Sequence, residues 1–184
     1  MTTVMTLMKT GIGTIVQTGA LCCAVISVLM TPSTRQVAEA QQMELERVGP
    51  ELAHPWGMEF LTSDTLLVTT RGGKLWKIKL ADGAAMRITG TPDVYAHRQG
   101  GLLDVTTIDG HVYLCYSAIL PGVSATAIDR AVIEGDRLVH KRTIFTGNAP
   151  TKSGHHFGCR LYVTNTALWA TLGDRGERDN GQDP

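Results

Sequence analysis

His156 is the residue of this chain best suited to move a proton. A neutral imidazole accepts a proton near neutral pH, and one that works as a base needs a partner to orient it. Gly173-Asp174 closes the same candidate hairpin that His156 opens. Antiparallel pairing brings the two ends of a hairpin together. The Asp174 carboxylate is therefore expected to reach the ring, fix its tautomer and raise its basicity. Gln99 stands in Arg98-Gln99-Gly100-Gly101. Next to two residues without side chains, a carboxamide and bare backbone can approach a flat ligand closely. Plainer readings of these residues stay open. The His155-His156 pair also suits exposed polar residues or metal ligands. Asp174 in Gly-Asp-Arg-Gly suits a turn. The glycines after Gln99 suit a simple bend, Trp56 suits a core, and residues 173–179 suit a solvated charged loop.

Other chemistries lack their signatures. No G-x-G-x-x-G follows a strand, and there is no P-loop, H-E-x-x-H or G-x-S-x-G. Nicotinamide dehydrogenases, nucleotide hydrolases and α/β-hydrolases lose their usual support. No C-x-x-C suggests a structural zinc, and no metal site is assigned within residues 1–184.

The elements that would position His156 read as short strands. Met58 to Leu61, Thr65 to Thr70 and Leu75 to Leu80 are apolar runs split by Ser63-Asp64 and Gly72-Gly73. Lys74 to Leu80 alternates polar and apolar with period two. Gln41 to Arg47 is the one candidate for a short helix. One outline then recurs: a glycine, an apolar strand, a tight turn and a second apolar strand. It starts at Gly57, again at Gly101 and again at Gly158, with the second strands at Leu66 to Thr70, Val112 to Tyr116 and Leu168 to Leu172. Ala125 to Ile133 and Arg137 to Thr146 add two strands around Glu134-Gly135-Asp136. Four short strands every ~40–50 residues is the pattern of a β-propeller blade. The expected fold is all-β, with about two propeller blades and part of a third. Equivalent repeats would bring Pro55-Trp56, Arg98-Gln99-Gly100 and His155-His156-Phe157 to one face of a central channel. A ring needs roughly 4–8 blades to close, so the chain is expected to be the N-terminal part of a longer protein.

Charge and the first forty residues bound the setting. Lys plus Arg and Asp plus Glu are 17 each. That leaves no basic excess for a phosphate backbone, so no nucleic-acid partner is expected. Apolar residues at 43% supply enough material for a core. Lys9 precedes the uncharged run Gly11 to Met30, and the polar stretch after it ends in Ala38-Glu39-Ala40. A basic start, an apolar middle and an A-x-A end make a secretory signal. Residues 1–40 are read as that signal, cleaved after Ala40, and residues 41–184 as the propeller part. An uncleaved anchor is the alternative, and the expected location is periplasmic or secreted, with membrane contact only through the signal segment. Past residue 40 the cysteines are Cys115 and Cys159. An oxidising compartment allows a bond between them, and two separate buried thiols fit the sequence equally well.

Four segments carry a resemblance. They are His54-Pro55-Trp56-Gly57-Met58, Arg98 to Val105 (RQGGLLDV), His156-Phe157-Gly158-Cys159-Arg160-Leu161, and Leu172-Gly173-Asp174-Arg175-Gly176 with Gln182-Asp183 behind. In this order, from about Leu52 to the end, the chain resembles the soluble quinone-dependent sugar dehydrogenases, the glucose/sorbosone and aldose sugar dehydrogenase family. The resemblance implies a six-bladed propeller, export to the periplasm and pyrroloquinoline quinone (PQQ) as cofactor. It implies oxidation of the C1 hydroxyl of an aldose sugar to a lactone, with hydride passing to the quinone and on to an electron acceptor. It gives Gln99 the place of a quinone-binding glutamine, His156 that of the general base and Asp174 that of its supporting carboxylate. Calcium ligands are implied beyond residue 184, so the 184-residue chain alone is expected to be inactive. Two positions depart from the family pattern: Cys159 stands where serine or glycine is frequent, and His155 where the glucose enzymes carry aspartate. The rival readings are a propeller that binds a ligand without chemistry and a metal-dependent propeller lactonase using His155 or His156.

Overall fold

The computed structural model describes residues 6–9 and 44–181. Strand β1 (Thr6–Lys9) pairs with β2 (Glu44–Arg47) in a sheet of two strands, within a unit separate from the rest. The expected helix at Gln41 to Arg47 is thus corrected over its described part, which is extended. Pairing with a second strand decides the conformation of so short a segment, because intrinsic helix preference is a weak prior. The apolar run Gly11 to Met30 and the cleavage position after Ala40 lie outside the described residues.

The second unit contains the propeller strands. β3 (Pro55–Thr62), β4 (Thr65–Thr70), β5 (Lys74–Lys79) and β6 (Ala85–Ile88) form an antiparallel meander. β7 (Leu102–Ile108), β8 (His111–Leu120), β9 (Val123–Glu134) and β10 (Arg137–Thr146) form a second one. β11 (Gly158–Val163) and β12 (Leu168–Leu172) form a third hairpin, and a 3-10 turn follows at Arg178–Gly181. These are two four-stranded blades and the opening hairpin of another. Each strand expected from apolar runs is present, and among β3 to β12 only β6 was missed by those runs. It is short, and Met86 and Arg87 on it are exposed, so it carries little hydrophobic pattern. The turns are as expected: Asp109 and Gly110 have φ of 49° and 73°, the left-handed pair that a tight hairpin demands.

The first strands of the repeats are neighbours, with β7 packed against both β3 and β11. Core side chains fill the two spaces between the sheets. Leu67, Leu75, Leu102, Val105, Leu114 and Leu138 belong to one buried cluster, and Leu103, Cys115, Ile128, Phe157, Cys159 and Leu161 to the other. A disulfide joins Cys115 of β8 to Cys159 of β11, with Cα atoms 5.8 Å apart. The choice that the sequence left open is settled as a bond.

Asp104 ties the first strands together. Its side chain is 3% exposed. Oδ2 accepts from the Leu161 backbone N–H at 2.7 Å, and Oδ1 accepts from Arg160 Nη1 at 3.1 Å. Burial pushes its carboxyl above the ordinary 3.8, against the pull of those two donors. On its other side lies Gly57, where an added Cβ would stand 2.5 Å from Oδ1. Only a glycine allows β3 this close to β7. Asp104→Ala would leave the Leu161 N–H buried without its acceptor. We expect a loss of about 2–3 kcal/mol in urea unfolding, and a change below about 0.5 kcal/mol would show the link to be dispensable.

Candidate active site

The segments that lead into the three first strands share a conformation rare for residues with side chains. His54 and Arg98 both have φ of 53°, and His156 has 52°. Left-handed non-glycine residues cost free energy and gather at functional sites. The three are joined in part through Arg71, whose backbone N–H donates to His54 O at 3.0 Å and whose Nη1 donates to Arg98 O at 2.7 Å.

Gln99 is woven into the segment that carries His156. Its backbone N–H donates to Gly154 O at 2.9 Å. Its side-chain Oε1 accepts from the His156 backbone N–H at 2.8 Å. That use of the oxygen leaves the carboxamide nitrogen, with two protons to donate, on an exposed side chain. One residue back the pairing repeats, with Arg98 Nη1 donating to His155 Nε2 at 2.9 Å. His155 Nδ1 lies 3.2 Å from Ser153 Oγ.

His156 and Asp174 meet as the hairpin argument requires. Nδ1 is 2.6 Å from Asp174 Oδ1. A carboxylate only accepts, so in the neutral imidazole this contact puts the proton on Nδ1 and the lone pair at Nε2. The imidazole is 55% exposed and the carboxylate 30%. Asp174 also accepts from the Gly176 N–H at 2.8 Å. That bond first, and the imidazole second, hold its carboxyl below the ordinary 3.8. Its support of the ring is complete above the ordinary carboxylate range. It is lost only as the pH falls through the lowered value. Gly173 permits the approach, since any Cβ there would collide with His156 O.

Arg175 fixes the hairpin mouth and was not foreseen. The charged loop 173–179 reads as solvated, yet Arg175 is 3% exposed. Its guanidinium lies 3.5 Å from the centroid of the Phe157 ring. Nη1 donates to His155 O, and Nη2 donates to Ser153 O at 2.8 Å and Ser124 Oγ at 3.0 Å. The loop around His155 and His156 is thereby bolted to the start of β9. Burial lowers the pKa of this guanidinium. Trp56 is a correction in the opposite sense, being 50% exposed instead of in the core. A tryptophan in an alternating strand follows whichever face its register assigns it.

Of the sequence-predicted site residues, Gln99, His156 and Asp174 are in one cluster. Among the described residues, no group of three or more His, Cys, Asp and Glu side chains is placed to hold a metal ion. The ring nitrogens of His155 and Nδ1 of His156 are engaged by protein groups, so a lactonase-type histidine pair has little to offer a metal.

The pattern of the glucose/sorbosone dehydrogenase family matches residues 52–184, most of the chain. This chain belongs to that family. It is 32% identical over 151 residues to aldose sugar dehydrogenase YliI of Escherichia coli (strain K12), which covers 77% of this chain and 41% of that protein. The crystal structure of the soluble aldose sugar dehydrogenase from Escherichia coli in its apo form superposes with a TM-score of 0.67 at 33% identity. That match covers 72% of this chain and 41% of the other. The PQQ-bound form of an aldose sugar dehydrogenase from Streptomyces coelicolor superposes with a TM-score of 0.65 at 25% identity, over 74% of this chain and 42% of the other. The chain thus spans less than half the length of these relatives. The fold is that of the glucose/sorbosone dehydrogenase propellers, and the cluster around His156 lies inside the matched region.

Proposed function

We propose that this chain supplies the proton-accepting part of a PQQ-dependent aldose dehydrogenase, which oxidises the C1 hydroxyl of an aldose sugar to a lactone. One observation carries the reading: the His156 imidazole, free at Nε2, is held at Nδ1 by Asp174 at 2.6 Å and at its backbone by Gln99 at 2.8 Å.

The donor set suits the cofactor. The Gln99 carboxamide nitrogen would offer two donors to a ring carrying carbonyl oxygens. Gly100 and Gly101 do not add bare backbone to that surface, which corrects the sequence expectation: both are buried, with their N–H groups donated to His97 O at 2.9 Å and Ser117 Oγ at 2.6 Å. When bound, PQQ supplies the acceptor for the hydride that leaves sugar C1. His156 Nε2 takes the proton of the C1 hydroxyl as that hydride departs, so the electron pair on oxygen becomes the new carbonyl bond. Asp174 keeps the ring in the accepting tautomer and stabilises the imidazolium that forms. Gln99 and Arg175 fix the segment, because alignment contributes more than acid strength to such a transfer. The calcium implied by the resemblance is assigned to ligands outside residues 1–184. Export to the periplasm through a signal at residues 1–40 belongs to the same proposal, as does an electron acceptor for the reduced quinone.

Reconstitution of the purified 184-residue chain with PQQ and calcium, followed by assay of dye reduction with a panel of aldoses, tests the reading. The expected result is weak quinone binding that shifts the ring signals of His156, without sustained turnover. Robust turnover would refute the dependence on further blades. A quinone that binds without perturbing His156 would refute the site.

A further inference from the structure

The proposed chemistry uses Gln99, His156 and Asp174 but leaves a cationic group beside them unexplained. Arg98 is exposed, in a strained left-handed conformation, and forms no ion pair among the described residues. Among the described residues its guanidinium bonds to an imidazole and not to a carboxylate, His155 Nε2 at 2.9 Å. Its stem packs over Gly154, where an added Cβ would stand 3.0 Å from Arg98 Cδ. The guanidinium is therefore aimed by its contacts, yet the charge is not spent on a protein carboxylate. Arg71 repeats the situation. Its Nη1 donates to Arg98 O at 2.7 Å, and no carboxylate of the described residues pairs with it. Arg71 also lines a half-open cleft of about 440 Å³ with His54, Lys74 and Trp76. The carboxylate on that cleft, Glu51, is engaged by Arg47 at 3.1 Å. Among the described residues no carboxylate forms an ion pair with Arg98 or Arg71, whereas Glu51 pairs with Arg47 and Asp174 with His156.

Arg71 braces the backbone of Arg98, and the Arg98 guanidinium is exposed without a carboxylate partner among the described residues, a charge left for an anion. A guanidinium binds a carboxylate bidentately and with charge assistance. The contact Arg98–His155 runs alongside the contact Gln99–His156, one residue apart on each strand segment. The His155 and His156 rings are 6.1 Å apart, so the Arg98 guanidinium stands one imidazole away from the His156 ring, on the scale of a single sugar or quinone.

We propose that Arg98, supported by Arg71, is the carboxylate-binding subsite for the ligand that His156 serves. The carboxylate has two sources. One is an acidic aldose, such as a hexuronic acid, which carries its carboxylate on C5, on the other side of the ring oxygen from C1. The other is the tricarboxylate quinone. The subsite rests on the reading of His156 as the proton acceptor only for the identity of its ligand; anion binding itself is read without turnover.

The test is a titration of the purified 184-residue chain, followed by nuclear magnetic resonance, with glucose, glucuronate, PQQ and PQQ trimethyl ester. It is repeated for Arg98→Gln and Arg98→Lys. Arg98→Gln keeps a donor for His155 and removes the charge. Binding of the probe whose carboxylate uses the subsite is expected to weaken roughly tenfold or more in Arg98→Gln. Arg98→Lys is expected to keep only part of it, since the charge stays and the bidentate fork is lost, and raised salt is expected to weaken it in the parent. Glucose and the ester are expected to be indifferent to all three changes. Loss with glucuronate assigns the sugar, and loss with PQQ but not its ester assigns the cofactor. The proposal is overturned if the parent chain binds neither anion, if Arg98→Gln leaves both unchanged, or if glucose loses as much as glucuronate. Should Arg98→Gln not fold, the Arg98→Lys and salt results decide alone. Anion binding that depends on Arg98 while His156→Ala leaves sugar oxidation intact would keep the subsite and discard the base.

Discussion

His156→Ala is expected to lower sugar oxidation by roughly 10²–10⁴-fold in the turnover-competent protein, the contribution typical of a positioned general base. Quinone affinity should change little. The His156 contribution to the Gln99 contact is its backbone N–H, at 2.8 Å from Oε1, and alanine keeps that group. The split between chemistry and binding is therefore the diagnostic. Asp174→Asn should reproduce a large part of the loss. An amide donates as well as accepts, so it no longer demands a proton on Nδ1. In that variant the Nε2 lone pair is no longer assured. Steady-state kinetics with a dye acceptor, together with quinone titration, measure both quantities. Unchanged oxidation in His156→Ala removes the imidazole from the mechanism. Lost quinone binding with it would mean that the ring holds the cofactor instead of taking the proton.

Breaking the Cys115–Cys159 bond is expected to give the largest stability loss of any single covalent change. The bond closes a loop with a sequence separation of 44. Loop-closure entropy for that length is worth about 4 kcal/mol, and native disulfides of small domains commonly return about 2–5 kcal/mol. Both half-cystines are buried, within the cluster that joins the second blade to the third hairpin. The paired Cys115→Ser and Cys159→Ser variant also places two hydroxyls in that apolar space, so a Cys→Ala pair gives the cleaner number. Urea unfolding with and without reductant measures it. A shift below about 1 kcal/mol for the Cys→Ala pair would show that the loop is not constrained in the way the entropy argument assumes. Cys159 lies three residues after His156. Loosened β11 should therefore also broaden the His156 ring signals before the first blade unfolds.

The repeat was legible because a strand writes its pattern locally. Leu66, Val68, Leu75 and Ile78 are apolar because their faces are buried, and turns such as Asp109-Gly110 punctuate the chain at the right intervals. The His156–Asp174 contact was legible for the same reason, since both residues belong to one hairpin and pairing brings its ends together. Gln99 was harder. Its meeting with His156 joins two repeats, and only the assumption that the repeats stand side by side predicted it. The family resemblance named the residue, and the geometry supplies the bond. Ala85 to Ile88 escaped because an outer strand with exposed Met86 and Arg87 carries almost no apolar signal.

What the amino-acid order determined by itself was the set of strands and turns, the recurring hairpin, the membership of the glucose/sorbosone dehydrogenase family and the acid-base pair within one hairpin. Those rest on contacts between residues near in sequence, or on motifs written in single stretches. Tertiary structure alone decided the Cys115–Cys159 bond, the burial of Arg175 against Phe157, the exposure of Trp56 and the bridge from Asp104 to Leu161. It also decided that the Arg98 guanidinium meets His155 Nε2 and, among the described residues, no carboxylate. Each depends on how one sheet packs on the next, which sets the neighbours of residues far apart in the chain. Period two records which side of a strand is buried, and carries no record of what it is buried against.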